Sequence, residues 1–273
     1  MKIWLDGGLQ DIESARVSVF DHGLTVGDGI FETVKATDGK TFALTRHLDR
    51  LTRSARGLGL PDPDLDEVRR GCAAVLDANP MPLGRLRITY TGGHGPLGSD
   101  RGEHGPTLVV ALGESNRRPD STAAVTVPWT RNERGALTGL KTTSYAENVV
   151  ALARAHQHGA SEALFANTVG QLCEGTGSNV FVVLDGELHT PPVTSGCLAG
   201  ITRALTVEWT GAKETDLPLD VLERADEVFL TSSLRDVQAV HLVDGRQLPG
   251  TAGPVTAKAM RVFDERSGDD LDP

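Results

Sequence analysis

The amino-acid sequence predicts an α/β (α+β) protein of two domains. Its 273 residues exceed the roughly 150 residues of a common single domain, which favours two folded units. Short apolar runs of strand length alternate with segments whose apolar residues recur every three or four positions, the pattern of a half-buried helix. A polar stretch with a proline, ESNRRPDS, separates the two halves. We therefore expect a smaller domain at 1–113, a linker at 114–121 and a larger domain at 122–273.

The first domain contains a clear hairpin and a clear helix. Asp38-Gly39-Lys40 separates apolar runs at 29–36 and 41–45, which is typical of two strands joined by a tight turn. From Thr45, leucine and alanine recur at helical spacing until Gly57, Gly59 and Pro61 end the pattern. The other predicted elements of this half are strands at 2–5, 17–19, 85–91 and 106–112, and a helix at 64–78.

In the second domain, Ser144 is followed three residues later by Glu147, a capping-box pattern that predicts a helix ending at Gly159. Asp185-Gly186 predicts a second hairpin turn. The acidic tail SGDDLDP is expected to be frayed. The other predicted elements are strands at 123–128, 162–166, 178–184, 187–190 and 227–231, helices that begin near 200 and 218, and a last helix at about 254–266.

Composition excludes several classes of protein. The net charge of −10 argues against a chain that binds a nucleic-acid backbone. No apolar run approaches the roughly 20 residues of a membrane span, and the start MKIWLDGG lacks a signal-peptide core. Three dispersed cysteines fit a reducing compartment, and the eight histidines show no metal-ligand spacing. We expect a cytoplasmic enzyme without a metal.

Candidate chemistry centres on a few residues. Lys141, three residues before the predicted helix cap, could be a solvated lysine or an amine that forms a Schiff base. Gly200-Ile201-Thr202-Arg203 opens a predicted helix, whose free N–H groups favour an anion. Glu174 precedes an apolar strand and needs a partner if it is buried. A lysine, an anion site and a carboxylate together are what pyridoxal phosphate requires.

A glycine-rich segment, Gly93-His94-Gly95-Pro96-Leu97-Gly98, matches the GxGxxG pattern. A dinucleotide site needs a helix to start there, and Pro96 with the polar run after it interrupts such a helix. We therefore interpret the segment as a mobile loop beside a site. A Ser–His–Asp triad stays open, although the sequence has no GxSxG motif.

At these residues the sequence resembles the fold-type IV pyridoxal-phosphate enzymes, or class IV aminotransferases. That group includes branched-chain aminotransferases, D-amino acid aminotransferases and aminodeoxychorismate lyases. Six motifs in order carry the resemblance over nearly the whole chain: VGDGIFET at 26–33, HLDRL at 47–51, Lys141 before its helix, EGTGSNVF at 174–181, GITR at 200–203 and DEVFLTSS at 226–233.

The resemblance implies a two-domain fold with pyridoxal 5′-phosphate in the interdomain cleft, a small amino substrate and a homodimer. It implies that Lys141 is the Schiff-base lysine and the proton carrier. It implies that Glu174 pairs with the pyridine nitrogen and that Arg50 binds the phosphate. The remaining cofactor contacts that it implies are backbone N–H groups of Ile201 and Thr202, the hydroxyl of Ser233, and Tyr145, whose spacing from Lys141 is one residue shorter than in branched-chain enzymes.

The subfamily depends on the substrate residues. D-amino acid aminotransferases have an arginine where this chain has Thr91, which weakens the D-specific interpretation and also counts against the lyase. The substrate candidates are Phe31, Thr91, Arg87 and Arg101, either arginine being able to bind a carboxylate. The stretch KTTSYAEN from Lys141 and the compact length resemble actinobacterial aminodeoxychorismate lyases. The sequence thus narrowly favours a lyase that converts 4-amino-4-deoxychorismate to 4-aminobenzoate and pyruvate, for folate precursor synthesis. The alternative is an aminotransferase of the branched-chain type or, less favoured, the D-amino acid type.

Overall fold

The computed structural model describes residues 1–117, 119–248 and 252–273. The chain divides into two compact units. The first comprises Met1–Arg117, Leu140–Ser144 and Leu271–Pro273, and the second comprises Arg118–Gly139 and Tyr145–Asp270. The division falls within the expected linker at 114–121, of which Arg118 lies outside the described residues. Two short segments that the sequence-based boundaries put in the second domain, one of them carrying Lys141, group with the first unit.

The first unit is an antiparallel sheet with helices on one face. Its strand order is β2-β1-β6-β5-β3-β4. The strands are β1 (Lys2–Leu5), β2 (Gly8–Asp11), β3 (Gly29–Thr37), β4 (Lys40–Thr41), β5 (Leu83–Thr91) and β6 (Thr107–Glu114), and the helices are α1 (His22–Thr25), α2 (Leu44–Leu58) and α3 (Leu65–Ala78).

Side chains alternate between the two faces of this sheet, as strand geometry requires. On β3, Ile30 and Val34 belong to the apolar core with Leu48 and Leu51 of α2. Phe31 therefore projects from the opposite face of β3. The predicted hairpin at 38–40 and both predicted helices are confirmed.

Two expectations for this unit are wrong. The stretch 17–19 is not a strand in the structure, and its valines are exposed because no neighbouring strand pairs with them. The tail is not frayed. The Asp272 carboxylate accepts hydrogen bonds from the Thr45 N–H (2.8 Å) and hydroxyl (2.6 Å) at the start of α2, because Ala43 at the N-cap offers no side-chain acceptor.

The second unit is a mixed sheet with the strand order β12-β11-β10-β13-β14-β7-β8-β9, to which β15 is added beside β14. Helix α4 packs on β8 and β7, and α7 packs on β14 and β13. The strands are β7 (Ser121–Arg131), β8 (Glu162–Asn167), β9 (Leu172–Gly175), β10 (Asn179–Leu184), β11 (Glu187–Thr190), β12 (Lys213–Glu214), β13 (Glu227–Ser232), β14 (Asp236–Val243) and β15 (Arg246–Gln247). The helices are α4 (Ala146–Gln157), α5 (Ile201–Thr210), α6 (Val221–Arg224) and α7 (Pro254–Asp269).

The capping box predicted at Ser144 and Glu147 is wrong. Helix α4 begins at Ala146 after Tyr145, which provides no side-chain cap. Ser144 itself belongs to the first unit, where its hydroxyl donates to the Gly27 carbonyl (3.1 Å). Strand β14 was not predicted from the sequence either. Its buried Gln238 interrupts the apolar run that usually marks an inner strand.

No helix in the described parts of the chain is both long and apolar enough to cross a membrane.

Candidate active site

Lys141 lies on a short extended segment that continues the sheet of the first unit. Its carbonyl accepts the Phe31 N–H (2.9 Å), and the Thr143 N–H donates to the Gly29 carbonyl (2.8 Å), so the segment pairs with the start of β3. The Lys141 N–H donates to the Ser54 hydroxyl of α2 (3.2 Å). These bonds fix the backbone from which the half-buried Lys141 side chain extends.

The Phe31 ring brings two cations together. The Lys141 Nζ lies 4.5 Å from the ring centroid, and the Arg87 Cζ lies 3.2 Å from it. The two cationic groups are therefore at most about 8 Å apart. Arg87 extends from β5 on the same sheet face as Phe31, and its Nε donates to the Thr89 hydroxyl (3.3 Å). This cluster joins three of the residues selected from the sequence.

Arg50 is held by a buried carboxylate that the sequence analysis did not select. The Glu32 side chain is fully buried and accepts the Arg50 Nε (2.8 Å), the Arg50 Nη2 (2.7 Å) and a hydrogen bond with the His47 Nδ1 (2.7 Å). Burial by itself would raise the pKa of Glu32, but the charge of Arg50 and the hydrogen bonds from Arg50 and His47 outweigh it and lower that pKa. Burial lowers the pKa of His47, with the charges of Arg50 and Lys141 adding to the effect.

Thr91 and Arg101 have internal partners in the first unit. The Thr91 hydroxyl donates to the Asp21 carboxylate (2.9 Å) and accepts the Gly93 N–H (3.2 Å). Arg101 pairs through Nε and Nη2 with both oxygens of Asp28, each at 2.7 Å, and donates to two carbonyls at the end of α2. The structure thus gives both residues a role in holding loops, and it does not join them to the Phe31 cluster.

In the second unit, Glu174 is fixed at both carboxylate oxygens. Its Oε2 accepts the Leu198 N–H (2.9 Å), and its Oε1 lies 3.2 Å from the Arg131 Nε. The Arg131 guanidinium stacks over the Phe165 ring at 4.0 Å and also pairs with Glu147. Arg131 therefore places a positive charge beside the Glu174 carboxylate.

The start of α5 has the features of an anion site. Its N-cap is Gly200, which provides no side-chain cap for the N–H groups of Ile201 and Thr202. A Cβ at Gly200 would lie 2.1 Å from the Asn179 Oδ1, so a larger residue there would displace the Asn179 side chain. The neighbouring Thr231 hydroxyl is buried and finds no hydrogen-bond partner among the described residues. A buried donor without a partner costs stability unless a ligand accepts it.

Ser233 and Tyr145 complete the predicted set. Ser233 is half-buried in the turn between β13 and β14, and Tyr145 is half-buried at the start of α4. Sequence reasoning missed three further charged residues that contact the predicted set or its neighbours: Glu32 in the first unit, and Arg131 and Glu162 in the second. A charged residue inside an apolar strand run, as in GIFETV and SEALFA, is the signal that could have identified the two glutamates.

The donor set fits pyridoxal phosphate. The Leu198 N–H that binds Glu174 lies only two residues before Gly200, so the second unit places a carboxylate near an uncapped helix start. A pyridine nitrogen and a phosphate require these two features at opposite ends of one small molecule. The described residues contain no group of three potential metal ligands.

The chain matches known proteins along most of its length. Residues 29–243 match the family amino-transferase class IV. The chain is 36% identical to a putative branched-chain-amino-acid aminotransferase of Methanocaldococcus jannaschii, over 96% of this chain and 95% of that protein. It is 31% identical to a bifunctional aminodeoxychorismate lyase / D-amino acid transaminase of Mycobacterium tuberculosis, over 92% and 94%. Its fold is similar to that of the Escherichia coli branched-chain amino acid aminotransferase, with a TM-score of 0.91 and 27% identity over 97% and 93% of the two chains.

Proposed function

The chain belongs to the class IV aminotransferase family, whose members use pyridoxal phosphate, and from that premise we propose that it is an amino-acid aminotransferase of the branched-chain type. This proposal reverses the narrow preference for a lyase that the sequence suggested. The relative at 36% identity is a putative branched-chain enzyme, whereas the relative with lyase activity in its name is also named a transaminase.

The Phe31 cluster is the observation that carries this proposal. An amino-acid substrate needs a base at its Cα and a cation for its carboxylate, a few ångströms apart. Lys141 and Arg87 provide these groups, and both side chains contact the Phe31 ring. Phe31 itself is 3% exposed, and its ring positions the two side chains that contact it.

Each residue then has one task. With its amine neutral, Lys141 would accept the proton from the substrate Cα, and the resulting ammonium would return it when the product forms. Arg87 binds the substrate carboxylate through charge-assisted hydrogen bonds. When bound, pyridoxal phosphate provides the electron sink for the carbanion at Cα. Glu174 would hold a proton at the pyridine nitrogen, and Arg131 would fix the position of its carboxylate. In the first unit Arg50 would bind the phosphate. In the second unit the Ser233 side chain and the N–H groups of Ile201 and Thr202 would bind it, and Tyr145 would donate to the phenolic oxygen.

Activity assays test the substrate class. The purified protein with pyridoxal phosphate is given L-leucine, L-valine or D-alanine together with 2-oxoglutarate, and production of the new 2-oxo acid is measured. We expect turnover with the branched-chain L-amino acids. Turnover restricted to D-alanine, or none with any donor, would contradict the branched-chain assignment.

The lyase is the second candidate, supported by the bifunctional relative. Its substrate, 4-amino-4-deoxychorismate, carries carboxylates that Arg87 could equally bind. Release of 4-aminobenzoate and pyruvate without any 2-oxo acid acceptor would identify this activity. The same protein sample serves both assays, so their rates can be compared directly.

Variants test the residue roles. Lys141→Ala should abolish turnover, while Glu174→Ala should retain some cofactor and lose most of the activity. Arg87→Gln should raise KM on the order of tenfold or more, because a charge-assisted bond contributes about 1.5–3 kcal/mol. Arg85→Gln, at an exposed position of the same strand, is the matched control and should leave KM unchanged.

The proposal includes a homodimer. Supporting it, the first unit exposes Val19 (70% exposed) and Leu24 (69%), which are close together in sequence, and the loop residue Leu97 (72%). Exposed apolar clusters of this kind favour contact with another protein surface. Light scattering coupled to size-exclusion chromatography measures the mass, and a monomer would contradict this part.

A further inference from the structure

Glu162, at the start of β8, is a buried carboxylate to which no catalytic or binding role has been given above. Its side chain is 1% exposed. It accepts the Thr176 N–H (2.9 Å) and the Ser178 hydroxyl (2.7 Å), and the Thr176 hydroxyl bonds to it as well. Both donors belong to the turn that follows Glu174, so Glu162 holds the segment on which the proposed partner of the pyridine nitrogen lies.

Glu162 also contacts a second segment. The Arg235 Nη2 lies 3.5 Å from the Glu162 Oε2 and donates to the Ser161 carbonyl (3.1 Å). Arg235 stands two residues after Ser233 in the β13–β14 turn, and its N–H donates to the Ser232 hydroxyl (3.2 Å). One carboxylate therefore links the turn after Glu174 to the turn that carries Ser233.

The packing leaves Glu162 little freedom. A Cβ at Gly175 would lie 2.9 Å from the Glu162 Cδ, so the carboxylate rests directly on the backbone next to Glu174. The hydroxyl and N–H donors around it pair with both carboxylate oxygens. A buried polar group that is paired in this way costs free energy to disturb, because its partners are left without a hydrogen bond.

We propose that Glu162 is a positioning residue for cofactor binding, which fixes the turn that follows Glu174 and the turn that carries Ser233 relative to one another. This inference rests on the proposed function, because it takes the roles of Glu174 and Ser233 from it. Residues behind the direct ligands of a bound group commonly set affinity by holding those ligands in place.

Glu162→Gln tests the proposal, with Glu227→Gln as a matched control. Glu227 is also a buried glutamate at the start of a strand (7% exposed), and a Cβ at Gly253 would meet it closely. Its hydrogen bonds, however, go to the N–H groups of Val255 (3.1 Å) and Thr256 (2.7 Å) at the start of α7. For each holoenzyme we would measure the dissociation constant of pyridoxal phosphate, the visible circular dichroism of the bound cofactor and, after cofactor removal, thermal unfolding.

We expect Glu162→Gln to raise the dissociation constant on the order of tenfold or more and to change the circular dichroism of the bound cofactor. Glu227→Gln should lower the unfolding temperature but change the dissociation constant less than about twofold. Equal effects of both variants on the dissociation constant would overturn the proposal, since Glu162 would then act through stability alone.

A milder variant covers the case in which Glu162→Gln does not fold. Ser178→Ala removes one hydrogen bond to Glu162, so it should weaken cofactor binding a few-fold, and unchanged binding would count against the proposal. Failure of the proposed function gives a different result. If Glu174→Ala retains full turnover, the role of Glu174 is wrong whatever Glu162→Gln does.

Discussion

Replacing Glu32 by glutamine should destabilise the first unit strongly. The carboxylate is fully buried and accepts three hydrogen bonds of 2.7–2.8 Å from Arg50 and His47. The substitution removes the negative charge beside the buried Arg50 and gives glutamine an NH₂ group that faces other donors. Removing one partner of a buried ion pair costs about 3–5 kcal/mol, so we expect a loss of that size in the free energy of unfolding.

Urea unfolding of the cofactor-free protein, followed by far-ultraviolet circular dichroism, measures this loss. With a slope of about 3 kcal/mol per molar urea, the midpoint should fall by roughly 1–2 M. Glu187→Gln is the control, because its partner Lys213 is exposed, and the midpoint should not change. A loss below about 1 kcal/mol for Glu32→Gln would refute the reasoning that the buried charge of Arg50 depends on Glu32.

A double variant separates stability from cofactor binding. Glu32→Leu with Arg50→Met replaces the ion pair by apolar side chains of similar size, an exchange that is often neutral for stability. We expect it to recover most of the unfolding free energy lost in Glu32→Gln, but to bind the cofactor more weakly than the wild type, because the proposed phosphate ligand is gone. Full cofactor affinity in the double variant would contradict the role proposed for Arg50.

Three further predictions concern the first unit. Asp272→Ala removes the acceptor for the N–H and hydroxyl of Thr45, so chemical denaturation should show a loss of about 1 kcal/mol. Because burial lowers the pKa of His47 in the folded state, the unfolded chain takes up the proton first as pH falls below about 6.5. The wild type should lose stability between about pH 7 and 5, by at most about 1.4 kcal/mol per pH unit from this residue, and His47→Gln should show a shallower slope; equal slopes would contradict the shift. At Gly93, with φ +72°, a Cβ would lie 1.8 Å from the Gly105 carbonyl oxygen, whereas Gly105 (φ +76°) has open space. Gly93→Ala should therefore lower the unfolding temperature more than Gly105→Ala, which carries only the backbone cost of about 1–2 kcal/mol.

The elements that could be predicted from the sequence are those with a local signal. Helix α2 follows a regular apolar repeat that ends at glycines, and the β10–β11 hairpin has Asp185-Gly186 at its turn. Strand β14 could not be predicted from the sequence, because the buried amide of Gln238 pairs with Arg235, and no periodicity reveals such a contact. The ordered tail could not be predicted either, since it depends on a contact between Asp272 and Thr45, which are 227 residues apart.

The candidate site shows the same limit. Lys141, Arg50 and Glu174 could be selected from motifs, because each lies in a short segment typical of the family. Their partners could not. Arg131 reaches Glu174 from another strand, and the pairing of Lys141 with β3 joins segments more than a hundred residues apart. Residue type is a property of the local sequence, whereas the charge that surrounds a residue is a property of the fold.

Glu32 in the first unit and Glu162 in the second have the same physical role, which is to hold proposed cofactor ligands in place. The proposed cofactor ligands must keep fixed positions. One of them, Arg50, has a long flexible side chain, and two others, Glu174 and Ser233, lie beside or within turns. A buried carboxylate does this well, because it accepts several hydrogen bonds at once and because moving any donor exposes an unpaired charge to an apolar surrounding. Glu32 fixes the guanidinium of one arginine, and Glu162 fixes two backbone turns. Substitutions at these glutamates should therefore differ in kind: at Glu32 they should release a side chain, and at Glu162 they should release backbone.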